Sequence, residues 1–133
     1  VLLGRSSDST GERRLHCGFS AMLGGVGLIL SGYWSSSPVV SVLFLSVATT
    51  GIMGSLPVFW PIPTAFLTGT AAAAGIGIVN SVGNLGGYVG PNIPIWVRAI
   101  SDNPSAALYA IAGILFVCPV LILLFIPPAV ETR

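Results

Sequence analysis

Between Arg14 and Arg98 the chain carries no formal charge. So long an interval excludes an ordinary water-soluble fold, in which charged residues make up roughly 25% of the chain. A charge at mid-bilayer costs about 2.5–3.5 kcal/mol or more, so the interval reads as membrane spans. Composition agrees: of 133 residues 53% are hydrophobic and 7% charged, and the mean hydropathy is +0.93. The charges are Arg5, Asp8, Glu12, Arg13 and Arg14, then Arg98 and Asp102, then Glu131 and Arg133.

Several classes of function drop out. A net charge of +1 with no lysine leaves no nucleic-acid footprint. Cys17 and Cys118 are far apart and have no metal or redox spacing, so they read as small apolar residues of helices. With one histidine and no carboxylate inside an apolar segment, no catalytic set converges. The chain is therefore read as a non-enzyme without cofactor or metal. Gly75-Ile-Gly77 starts like a dinucleotide fingerprint, but Asn80 stands at the third glycine and no acidic residue follows.

The pattern predicts an all-α membrane protein with a polar loop over 1–14 and four spans over about 15–33, 39–66, 71–97 and 106–126. Ser9 and Glu12 fit a capping box, which starts a helix near Thr10. Gly18, Gly24, Gly25, Gly27 and Gly32 give the first span a thin face for close packing. His16 lies near one interface, and Tyr33 and Trp34 mark the other. Pro38 suits a first helical position. Pro57, Pro61 and Pro63 kink the second span, and Ser46, Thr49, Thr50, Ser55 and Thr64 can take up freed carbonyls or bond to neighbouring helices. Residues 67–70 form the return turn. In the third span Gly83 with Gly87, and Gly86 with Gly90, let neighbours approach, and Pro91 and Pro94 bend its far end. Pro119 kinks the fourth span, and Pro127 and Pro128 end it. Four spans put both termini and the 67–70 turn on the side of Arg5, Arg13, Arg14 and Arg133, opposite Arg98, and so in the cytoplasm. Val1-Leu2-Leu3-Gly4 reads as the tail of an earlier apolar segment, which makes the chain a fragment.

Polar side chains at membrane depth carry the functional reading. Trp60 and Asn80 lie about 12 and 18 Å from the turn near residue 68 at a rise of about 1.5 Å per residue, so the two side chains can meet near the midplane. Asn80, Asn84 and Tyr88 recur every four residues as one slowly winding stripe. An amide facing lipid has no partner, so Asn80 and Asn84 face protein, water or solute. They act as interhelical glue or as walls of a solute path.

Residues 4–14, GRSSDSTGERR, resemble the cytoplasmic loop of the major facilitator superfamily through Gly4, Asp8, Gly11, Arg13 and Arg14. Ser9 replaces that loop's usual basic residue. The resemblance implies a latch that holds cytoplasmic helix ends together. The stretch FWPIPTAFL, followed by NSVGNLGGYVGP, is similar to helices ten and eleven of the anion:cation symporter family within that superfamily. This resemblance implies helices nine to twelve of a twelve-helix fold, in which Trp60, Asn80 and Asn84 contact a small organic anion. The anion would be an aromatic, hydroxy or sugar acid, taken up with a proton across the inner or plasma membrane by alternating access. The carboxylate-binding arginine and proton-coupling acids would lie in the missing amino-terminal half. The rival reading is a small four-span assembly or adaptor subunit without transport activity.

Overall fold

The computed structural model describes residues 13–62 and 69–125. They form four α-helices: α1 (Arg13–Tyr33), α2 (Pro38–Phe59), α3 (Gly69–Ile100) and α4 (Ala106–Phe125). Three are long and apolar enough to cross a membrane, namely α1, α2 and α4. The expected count of four spans is therefore met by composition for three. The 32 residues of α3 are diluted by seven glycines, two prolines and Asn80, Asn84 and Asn92, which lower its hydropathy.

α1 is the centre of the fold and packs along both α2 and α4. Its small residues explain why. A Cβ added at Gly27 would lie 2.7 Å from the Ala48 nitrogen, and one at Gly24 2.9 Å from the Ile52 side chain, both on α2. On the α4 side, a Cβ at Gly18 meets Pro119, one at Gly25 meets Phe116, and one at Gly32 meets Tyr109. At Gly51 of α2 the added carbon would lie 2.6 Å from the Gly24 nitrogen, so there the two backbones are nearly in contact. The expected thin face of the first span is thus filled on both sides. Two apolar clusters close the three-helix unit: Leu28, Ala48 and Ala112, and Cys17, Val58 and Ile122. Cys17 is buried there as a small apolar residue, and Cys118 is exposed.

Hydroxyls secure the carboxy-terminal end of α1. Its last carbonyls have no intrahelical partner. Ser41 Oγ donates to Ser31 O at 3.3 Å and lies 2.8 Å from Ser31 Oγ. Ser105 Oγ, buried, donates to Gly32 O at 2.9 Å, and the Ser105 amide donates to Asn103 Oδ1 at 2.9 Å. Beside this end Trp34 stacks on Phe44 at 5.4 Å, and Tyr33 meets Trp34 edge to face.

α2 starts with Pro38 in its first turn, as expected, and runs unbroken to Phe59. Trp60 forms a turn and helical backbone resumes at Pro61 and Ile62, where Pro61 has no amide hydrogen to continue the ladder; residues 63–66, with Pro63 and Thr64, lie outside the described residues. Ser46, Thr49, Thr50 and Ser55 donate to the carbonyls of Val42, Leu45, Ser46 and Ile52. These hydroxyls stay on their own helix and do not reach Met53 O, the carbonyl that Pro57 leaves without a donor.

α3 begins at Gly69, whose φ of +60° favours glycine. It runs on to Ile100, through Pro91 and Pro94 and beyond the expected boundary. Arg98 in its last turn complements the helix dipole. α3 packs on α4 over a short seam and has no buried residue. The expected close packing at its glycines is not found: nothing lies within 4 Å of a Cβ built at Gly77, Gly83, Gly86, Gly87 or Gly90. Glycine spacing permits close approach, but no described helix takes it up. α4 runs to Phe125, and residue 126, its expected end, lies outside the described residues.

Candidate functional site

Trp60 and Asn80 line one cleft of about 460 Å³. Its α2 side is built from the last helical turn, Leu56 and Phe59, with Trp60 just beyond. The Trp60 amide still donates to Leu56 O at 3.3 Å, which keeps the indole over that turn. Phe59 and Trp60 rings meet edge to face, with centroids 5.8 Å apart. The α3 side is Ile78, Val79, Asn80, Val82 and Gly83.

The wall is chiefly apolar, and the Asn80 amide is its one polar group besides the indole nitrogen. Asn80 is exposed. Ser81 Oγ and Asn92 Nδ2 on the same helix donate to Gly77 O and Tyr88 O. Among the described residues Asn80 and Asn84 have no such bond, so they are not glue between these helices. Asn84 is exposed on the next turn and does not line the cleft. Tyr88, a further turn on, is 74% exposed, so the stripe of three faces outward along its length.

Of the latch residues, Gly4, Asp8 and Gly11 lie outside the described residues, as do Ser9, Thr10 and Glu12 of the expected cap; Arg13 and Arg14 open α1. Sequence reading singled out Trp60 and Asn80 and missed Leu56, Phe59 and Gly83. Gly83 was findable, since it stands three residues after Asn80 and three-residue neighbours share a helix face. Leu56 and Phe59 gave no signal beyond general apolarity.

The chain is similar to known transporters. It is 40% identical over its whole length to a protein of Agrobacterium vitis named as a candidate tartrate transporter, of which it covers 30%. It is 43% identical over 82% of its length to a quinolone resistance transporter of Acinetobacter baumannii, covering 25% of that protein. It is also 40% identical over 85% of its length to the inner membrane transport protein RhmT of Escherichia coli, covering 26%. The chain thus spans about a quarter to a third of the length of these relatives. No family model and no solved structure matches it. Transporter relatives, with three helices of spanning length and apolarity, support a membrane location.

Proposed function

We propose that this chain forms part of a secondary transporter of the major facilitator superfamily, in its anion:cation symporter family. The transporter takes up an organic anion, an aromatic, hydroxy or sugar acid, together with protons across the inner membrane. The chain supplies helices nine to twelve of twelve. α3 is then the fourth span: 32 residues at about 1.5 Å each exceed a hydrocarbon core about 30 Å thick, so the helix tilts. Both termini and the latch of Gly4, Asp8, Gly11, Arg13 and Arg14 face the cytoplasm.

The observation that carries this reading is the shared cleft of Trp60 and Asn80 in a chain about 40% identical to transporters. An amide at membrane depth without a hydrogen bond to a neighbouring helix is costly against lipid and useful against solute. In the assembled transporter the cleft, with Asn84 beside it, faces the amino-terminal half, which holds the solute's carboxylate and the coupling proton. Alternating access rocks the two halves about the solute. The adaptor reading draws no support from relatives that carry transporter names.

The test is uptake by the full-length protein with Asn80→Ala. Uptake should weaken while membrane insertion and yield stay at the wild-type level. Normal kinetics in that variant remove Asn80 from the site.

A further inference from the structure

Ser20 of α1 stands apart from the other helical hydroxyls. Ser46, Thr49, Thr50, Ser55 and Ser81 each donate to a carbonyl three or four residues back on their own helix. Ser20 Oγ is fully buried and has no hydrogen-bond partner. A buried hydroxyl left unpaired is costly, which is why such groups are rare. Because Ser20 is 0% exposed, no further segment of a longer protein can reach it unless the helices part.

The contacts on either side of Ser20 point to a partner. Along the antiparallel α1–α2 seam, Gly24 meets Gly51 above it and Cys17 packs with Val58 below it. Ser55 lies between Gly51 and Val58, about one turn from each and on the same face of α2. Ser20 and Ser55 therefore stand at one level of the seam. Ser55 Oγ instead turns back and donates to Ile52 O at 2.7 Å, and a hydroxyl that donates can still accept. At the other end of the seam the equivalent bond is made: Ser31 Oγ and Ser41 Oγ are 2.8 Å apart, beside the short connection between the helices. One end of the seam is pinned and the other holds an unmade bond. Between them Gly24, Gly27 and Gly51 leave few side chains to interlock.

We propose that the α1–α2 seam has two positions, and that Ser20 Oγ donates to Ser55 Oγ in the second. The Ser31–Ser41 end is the pivot, and a small roll of α2 on α1 closes the gap at Ser20; shear of packed helices is an ordinary route between conformations. The unpaired hydroxyl weakens the first position and the new bond strengthens the second, which narrows the gap in free energy between them. On the premise of the transport reading above, the two positions serve two conformations of the cycle.

The experiment is disulfide trapping in the full-length protein, with its native cysteines replaced by alanine and copper phenanthroline as the oxidant. Ser31→Cys with Ser41→Cys is the reference, since those side chains already touch and Ser31 is as deeply buried as Ser20. Ser20→Cys with Ser55→Cys should link more slowly by about tenfold or more, the scale set by a second conformation populated at about 10% or less. Linking as fast as the reference shows the two side chains already together and overturns the second position. No linking overturns the pairing. Ser20→Ala in the otherwise unchanged protein supplies a second measurement that needs no cysteine. It removes an unpaired group, so the unfolding temperature should equal or exceed that of wild type. A lower unfolding temperature shows Ser20 bonded in the first position and overturns the switch. Neither readout involves solute, so normal uptake by Asn80→Ala would leave both expectations standing.

Discussion

The contact between α1 and α2 predicts a sharp penalty for one methyl group. In Gly51→Ala the new carbon would lie 2.6 Å from the Gly24 nitrogen and 2.7 Å from the Ser20 carbonyl oxygen. Ordinary contact starts near 3.4 Å, so the shortfall is about 0.7–0.8 Å. Both opposing atoms belong to backbone, so no change of rotamer relieves the overlap. The helices must part by a similar distance. A gap of about 0.5–1 Å forfeits a quarter to a half of each atom pair's dispersion energy. The loss runs along the seam that also seats Gly27 on Ala48 and Gly24 on Ile52. Overpacking of this kind costs about 1–3 kcal/mol, and alanine's better helix propensity returns at most about 1 kcal/mol. The expected net loss is about 1–2 kcal/mol. The assay is thermal unfolding of the detergent-purified protein, followed by tryptophan fluorescence and checked by size exclusion. Gly113→Ala is the control, because nothing lies within 4 Å of a Cβ at Gly113; it should match wild type or gain slightly. A Gly51→Ala protein as stable as this control would refute the close backbone crossing.

Other expectations follow from the same contacts. Ser105→Ala removes the buried bond to Gly32 O and should lower unfolding stability by about 0.5–1.5 kcal/mol in the same assay. Gly32→Ala sets a carbon 2.7 Å from the Tyr109 ring and should be rescued in part by Tyr109→Ala, read as a double-mutant cycle in stability. Trp60→Phe should keep more uptake than Trp60→Ala, since a ring persists in the cleft wall; equal loss in both would assign the effect to the indole nitrogen. Cys118, exposed on α4, should react with N-ethylmaleimide faster than buried Cys17, as resolved by mass spectrometry of the labelled peptides.

The helical layout was legible because charge and hydropathy act residue by residue, without reference to neighbours. The same glycine signal nevertheless led to two outcomes. At Gly24 and Gly27 it marked a seam that α2 fills, and at Gly86 and Gly90 it marked open space. Spacing reports what a backbone allows, and the partner must be found in three dimensions. Trp60 and Asn80 could be brought together from the sequence because their distances from one turn are similar, a one-dimensional quantity. Asn84 could not be separated from Asn80 that way, since four residues turn the helix through 40° beyond a full circle and carry the side chain past the cleft. The hydroxyl caps on α1 had no sequence signal: Ser41 and Ser105 resemble the other serines until folding sets them beside unpaired carbonyls. The prolines at the end of α2 carried a signal that the sequence showed: Pro57 stays within the helix, and the ladder is interrupted at Trp60 before helical backbone resumes at Pro61 and Ile62.

The two serines that serve α1 also impose a sequence of events as the chain is synthesised. Ser41 follows Ser31 by 10 residues, so its bond is available once the first turn of the next helix has emerged. Ser105 trails Gly32 by 73 residues and can arrive only after α2 and α3 have been made. Until then one carbonyl at the end of α1 stays with water or lipid headgroups, so the end of α1 is completed only as the chain reaches α4.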